Sequence, residues 1–332
     1  MKRQTPSREP MQAAGRHEYG PPEVISTREV QRPTVGKKDV LVRVLAAGVD
    51  RSVWHVMTGR PHLARLAFGL RRPRRAVLGG EFAGVVAEIG AQVSGITIGQ
   101  QVFGSARGTY AEYVSAPADR IARTPEGLSP AQAASLPISG CAALHAVRVA
   151  QVRTGQRVLI LGAAGGVGSF AVQLAKAAGA RVTGVCRTSA MDFVSSLGAA
   201  EVLDYTGAGI GTDRYDAIID TGGNRSLGEL RGALTPQGHL VVVGGEQGGG
   251  RLLGGADRQL RACLMSAFVS QHLHGLVSHQ PVADLDELRR HVESGELTPR
   301  VEHTYPLAEA ASALRHLTQG GVRGKVAVVL EH

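Results

Sequence analysis

The chain has 332 residues, of which 43% are hydrophobic and 20% charged; this points to two domains and excludes a disordered chain. Cys141, Cys186 and Cys263 are too far apart for a C-x-x-C metal or redox pair and read as free thiols of a reducing compartment, the cytoplasm. The net charge is +9, but only five of the 37 basic residues are lysine, and six arginines between Arg60 and Arg75 have no acid among them; such a loop can bind nucleic acid or steer anions, yet the arginine bias reads as a solvated surface, so no nucleic acid is expected as a partner.

Residues 1–10 are polar and read as a flexible extension, and Met11 opens the first strand. The first third is β-rich, with strands over Val40–Leu45, Glu81–Ile89, Gly95–Gly104 and Tyr110–Val114. Short strands punctuated by glycine suggest a small barrel-like domain. Past Pro125 the rhythm changes. Ser129 is an N-cap and Pro130 the first residue of a helix, and Leu144–Ala150 is helical too. Val158–Ala175 is 18 residues without a charge, as long as a membrane span, but four glycines divide it into strand, turn and helix, so no membrane is expected as a partner. Val158–Leu161 suits a strand buried on both faces. Val167, Phe170, Ala171, Leu174, Ala175 and Ala178 follow at helical spacing, with Gly179 as C-cap. Strands at Arg181–Cys186, Val202–Leu203, Ala217–Ile219 and Leu240–Val243 alternate with helices at Phe193–Leu197 and Leu227–Leu234. That alternation predicts a parallel, doubly wound sheet. Helices at Leu285–Val292 and Leu307–Leu317 and a strand at Lys325–Leu330 close the chain.

The chemistry lies in Val158-Leu-Ile-Leu-Gly-Ala-Ala-Gly-Gly-Val-Gly168. A strand runs into a glycine turn that opens a helix, which is the setting of dinucleotide binding. Gly165 and Gly166 let the backbone approach a diphosphate, Gly168 lets helix and strand pack closely, and the helix N-terminus offers unpaired N–H groups near Val167. The strict G-x-G-x-x-G pattern wants glycine at 163, where this chain has Ala163. The second strand ends in Cys186-Arg187-Thr188-Ser189, and the first acid after it is Asp192. A guanidinium beside hydroxyls suits a 2′-phosphate, whereas a carboxylate would hold the ribose hydroxyl of NAD. NADPH is therefore the expected coenzyme.

Gly162-Ala-Ala-Gly-Gly-Val-Gly168, Val182-Thr-Gly-Val-Cys186, Ser196-Leu-Gly-Ala199, Asp204-Tyr-Thr206 and Gly223-Asn-Arg-Ser-Leu227 occur in that order. Tyr19-Gly-Pro-Pro-Glu-Val24, Phe268-Val-Ser-Gln271 and Arg323-Gly-Lys325 accompany them. Together they resemble the zinc-free branch of the medium-chain dehydrogenase/reductase superfamily, in particular quinone oxidoreductase-like proteins of the reticulon-4-interacting type. The resemblance implies an α/β chain: a GroES-like β-barrel domain over 11–125 and 286–332, and a Rossmann doubly wound parallel sheet domain over 126–285, with the active site between them. It implies that Arg187 and Thr188 face the adenosine phosphate, that Tyr205 lines the adenosine side, and that Val243, Gly244 and Ser270 approach the nicotinamide. A homodimer follows by analogy.

Relatives that use zinc place a cysteine where this chain has Asp50, and Gly-His-Glu where it has Gly79-Gly80-Glu81. The third slot falls on Ile138. Only Asp50 and Glu81 are able to ligate, and a catalytic zinc takes three protein ligands, so no metal is expected. The implied activity is NADPH-dependent hydride transfer to a quinone or an α,β-unsaturated carbonyl. A zinc-free alcohol dehydrogenase or ketoreductase is one alternative, and an NADPH-binding protein without turnover another. Asp50, Arg51, His55 and Tyr110 are candidate proton donors, Asp50 and Tyr110 foremost. Many kin carry Asn where Asp50 stands, so substrate is not simply inherited. Glu246–Gly255, rich in glycine, reads as a lid or a linker.

Overall fold

The computed structural model describes residues 9–207, 210, 214–244 and 254–331. Six parallel strands form one sheet: Arg157–Leu161, Arg181–Cys186, Glu201–Asp204, Tyr215–Asp220, Leu234–Val242 and His272–Gly275. Numbered by succession in the chain, they lie side by side as 3-2-1-4-5-6, the doubly wound order with its switch point between the first and fourth strands. Arg157–Leu161 is apolar without alternation because both its faces are covered. Val158 and Ile160 join Ala171, Ala217, Ile219 and Val241 in one core. Leu159 and Leu161 join Ile218, Leu240 and Val242 in another.

The second sheet has seven strands. Val301–Pro306, Lys325–Val329, Asp39–Val49, Glu81–Ile89, Gln101–Ser105 and Ile121–Arg123 pair in that order, and Tyr113–Pro117 pairs with Asp39–Val49. The chain therefore builds most of one domain, crosses to build the parallel sheet, and returns. Lys325–Val329 is inserted between Asp39–Val49, antiparallel, and Val301–Pro306, parallel. That return places Lys325 at the seam between the two domains.

Several boundaries differ from expectation. Pro10–Gly15 is a strand paired with Ser26–Gln31 in a separate two-stranded sheet, and Glu9 meets Arg32 at 3.1 Å, so residue 10 belongs to a strand and residue 9 to an ion pair, not to a flexible extension; 1–8 lie outside the described residues. The strand expected from Gly95 begins only at Gln101, and that expected at Tyr110 begins at Tyr113. Helices Arg51–Thr58 and Ala256–Ser266 were not expected. Most of the glycine-rich stretch at 246–255 lies outside the described residues. Among the described residues no helix is long and apolar enough to cross a membrane.

Candidate functional site

A cleft of about 660 Å³ opens at the carboxyl ends of the parallel strands, against the β domain. Leu161 ends the first strand, and Gly162 turns the chain with φ +73°, a conformation glycine takes without strain. Gly165 caps helix Gly166–Ala177 without a side-chain bond, so the N–H groups of Gly166, Val167 and Gly168 have no partner within the helix. Those of Gly166 and Val167 line the cleft at the positive end of the helix dipole, which suits a diphosphate. A Cβ on Gly168 would lie 2.1 Å from the Gly162 carbonyl oxygen, so the helix packs as tightly as expected. Ala163 is tolerated because Gly184 faces it: a Cβ on Gly184 would already come within 3.2 Å of the Ala163 Cβ.

Arg187, after the second strand, and Tyr205, after the third, line the cleft. The Arg187 guanidinium lies against Gly321 of the returning chain, where a Cβ would come within 2.6 Å of it. Thr188 donates its hydroxyl hydrogen to Asp204 Oδ2, and Thr206 N donates to Asp204 Oδ1 at 2.8 Å. These hydrogen bonds, the Thr188 one foremost, hold the Asp204 carboxyl below its ordinary range. A carboxylate thus stands beside Arg187 and Thr188, on the third strand, where a search confined to the end of the second misses it.

Beneath the glycine turn lies a buried charge cluster that sequence reasoning also missed. Lys325 Nζ donates to Glu81 Oε1 at 2.8 Å and to Ser139 Oγ at 3.0 Å, and Ile138 N donates to Glu81 Oε2 at 2.7 Å. A Cβ on Gly166 would meet Lys325 Cδ at 3.2 Å and Ser139 Oγ at 3.3 Å, so both side chains sit against the turn. Burial pushes the Glu81 carboxyl up to about 7; Lys325 opposes that rise and Asp50 adds to it. Asp50 Oδ1 accepts from Ser52 N at 2.7 Å and caps helix Arg51–Thr58. Its Oδ2 is buried without a partner, and the residue lines the cleft.

Three expected site residues lie differently. Tyr110 is fully buried, and its hydroxyl donates to the Gly48 carbonyl at 3.3 Å. Burial pushes that phenol well above its ordinary range, so it is a core residue and no proton donor to the cleft. Ser270 is exposed and precedes strand His272–Gly275. That strand runs parallel to its neighbour, so Ser270 lies at the amino ends of the strands, opposite the cleft. Gly168 acts in packing and does not line the cleft. Val243 and Gly244 do follow the carboxyl end of their strand: Val243 N donates to Asp220 O at 2.9 Å, and a Cβ on Gly244 would lie 3.0 Å from Thr221 O, beside the cleft wall.

Residues 36–126 match the alcohol dehydrogenase GroES-like domain and residues 197–328 match the zinc-binding dehydrogenase domain. The chain is similar to the NAD(P)H oxidoreductase RTN4IP1, mitochondrial, of Mus musculus, with 30% identity over 93% of this chain and 87% of the relative. It is similar to the NAD-dependent alcohol dehydrogenase of Saccharolobus solfataricus, with 30% identity over 92% of this chain and 96% of the relative. Among solved structures, the quinone oxidoreductase from Coxiella burnetii matches with a TM-score of 0.86 and 30% identity, covering 97% of this chain and 100% of that one. The second domain's description implies zinc, but the donors here do not fit it. Both Glu81 oxygens are taken by Lys325 and Ile138 N, Ile138 offers no ligand, and among the described residues no three His, Cys, Asp or Glu side chains converge.

Proposed function

The chain belongs to the medium-chain dehydrogenase/reductase family of NAD(P)H oxidoreductases, and from that premise we propose that it is an NADPH-dependent, zinc-independent reductase of quinones and α,β-unsaturated carbonyls. One observation carries this reading: the helix-terminal N–H groups of Gly166 and Val167, at the switch point, line a cleft that also holds Arg187. When bound, the nicotinamide supplies a hydride. The residues of the chain bind and orient. The N–H groups of Gly166 and Val167 take the diphosphate, and Arg187 takes the 2′-phosphate by charge-assisted hydrogen bonds. Val243 and Gly244 support the wall on the nicotinamide side. Lys325 ties the β domain to the turn, so the two walls are held in one geometry. To Asp50, whose Oδ2 is buried and unpartnered at the cleft, this reading assigns the passing of a proton at the acceptor oxygen.

Quinones and enones need less Lewis-acid help than a plain ketone, which agrees with a donor set that Lys325 has already claimed. The similar quinone oxidoreductase points the same way. A second reading, an NAD-dependent alcohol dehydrogenase without zinc, is favoured by the Asp204 carboxylate beside Thr188 and by the archaeal relative. Initial rates of NADPH and NADH oxidation against a quinone, a 2-alkenal and a ketone decide between them. Turnover with NADPH and quinone is the expected result; turnover only with NADH and a ketone overturns it. The free cysteines agree with a cytoplasmic protein. Strand His272–Gly275 ends its sheet beside exposed Phe268 and Val277, which supports a homodimer.

A further inference from the structure

Of the six arginines between Arg60 and Arg75, one is committed. Arg65 is half-buried, lies 4.5 Å from the centre of the Tyr19 ring and donates from Nε to Gly59 O at 3.0 Å. Arg60, Arg71, Arg72, Arg74 and Arg75 are exposed, and none of them pairs with a carboxylate among the described residues. No acid occurs anywhere from Arg51 to Gly80. The same segment exposes three leucines: Leu63 by 49%, Leu66 by 62% and Leu70 by 66%. Leu63 and Leu66 fall three residues apart across the consecutive turns His62–Ala64 and Arg65–Phe68, and so share a face. A merely solvated basic loop, the reading composition suggests, has no use for three leucines in water.

The segment also has a position. It continues from helix Arg51–Thr58, whose first residues line the cleft. Pro61 faces the parallel-sheet domain, where a Cβ on Gly254 would meet it at 3.3 Å. The patch therefore lies at the junction of the two domains, one short helix away from the cleft.

We propose that residues 60–75 dock the protein on an anionic lipid surface, the arginines against the headgroups and Leu63, Leu66 and Leu70 in the acyl boundary. Arginines near an anionic leaflet are attracted to it, and leucines gain by leaving water for the interface. A single-stranded nucleic acid would call for stacking platforms, but Phe68 is half-buried and His62 is the segment's one exposed ring, and a nucleic acid of either kind gives the three exposed leucines nothing apolar to enter. Docking does not depend on the coenzyme reading. Its use does: a quinone or enone with an apolar tail partitions into lipid, and docking brings the cleft to it.

The test is sedimentation of the full chain with vesicles of phosphatidylcholine alone and of phosphatidylcholine mixed with phosphatidylglycerol. Binding is expected only to the mixed vesicles and is expected to fall as salt rises. Replacing Arg71, Arg72, Arg74 and Arg75 by Gln should lower partitioning by roughly fivefold per arginine. Replacing Leu63, Leu66 and Leu70 by Ser should lower it by about tenfold or more. No binding to mixed vesicles overturns the proposal. So does a leucine variant that binds like the parent, which would mark plain adhesion to any polyanion, an acidic protein or nucleic acid included. NADPH oxidation with a water-soluble quinone, measured without vesicles, should be unchanged in both variants and reports their folding. Loss of that turnover in the parent protein would sink the functional reading while leaving the docking result standing.

Discussion

The glycine turn and the charge cluster beneath it meet at Gly166, yet they are built from opposite materials. The turn presents backbone N–H groups and no charged side chain, and every part of it comes from Gly162 to Gly168. The cluster presents a buried ammonium and carboxylate, with Lys325 lying 244 positions from Glu81 and 186 from Ser139 in the chain. The turn can bind an anion at no cost in buried charge. The cluster carries that cost permanently, and in return joins three segments from both domains at one point. Recognition of the diphosphate and closure of the seam between the domains are thus separable properties of neighbouring atoms.

Breaking the cluster should have the largest effect. Lys325→Met leaves Glu81 buried with only the Ile138 N–H, and removing one member of a buried pair costs about 3–5 kcal/mol. Urea unfolding measures this, and a loss below about 1 kcal/mol would show that the seam does not rest on the pair. Adding Glu81→Gln to Lys325→Met should recover most of the loss, since no uncompensated charge then remains. The cluster also has a pH signature. The folded-state pKa of Glu81 is raised from 4.5 to about 7, so the folded state binds more protons than the unfolded state between those values. Stability from this group is therefore greatest at low pH and falls as pH rises through that window. Glu81→Gln should flatten the profile there, by up to about 3 kcal/mol.

That same contrast governs what a sequence discloses. Val158–Leu161 and the turn after it are legible because burial on both faces and backbone geometry leave local marks: an apolar run, then glycines. Strands Ser26–Gln31 and Val301–Pro306 escape notice because they are edge strands rich in polar residues such as Arg28, Glu29, Glu302 and His303. Lys325 escapes because nothing near it in the chain says that Glu81 will face it. Tyr110 and Ser270 are misplaced for one reason: a residue type, or a short shared motif, carries no information about which way its segment will point. Only the direction of strand His272–Gly275 sends Ser270 away from the cleft.

A sharper test asks whether the local part alone chooses the coenzyme. Arg187 touches no carboxylate among the described residues and lies against Gly321. Arg187→Ala should weaken NADPH by ~1.5–3 kcal/mol, the worth of a hydrogen bond to a charged group, and leave NADH nearly unchanged. Fluorescence titration with both coenzymes measures the difference, and equal losses would refute the 2′-phosphate assignment.

The smallest effect expected concerns Asp204, where a local signal meets one from the neighbouring strand. If Arg187 acted alone, the carboxylate on the third strand would be irrelevant to the coenzyme. It accepts from Thr188 and from Thr206 N, so it orients the hydroxyl that stands beside Arg187 and at the same time places a negative charge near the phosphate. Asp204→Asn keeps an oxygen for Thr206 N and removes the charge. The site is exposed, so solvent screens the gain: NADPH affinity should rise by about two- to fivefold, more at low ionic strength than at high. Thr188→Val, which deletes the hydroxyl but keeps the carboxylate, should move affinity the opposite way. If Asp204→Asn weakens NADPH instead, the carboxylate's role in holding Thr188 outweighs its repulsion, and the second-strand residues do not choose the coenzyme on their own.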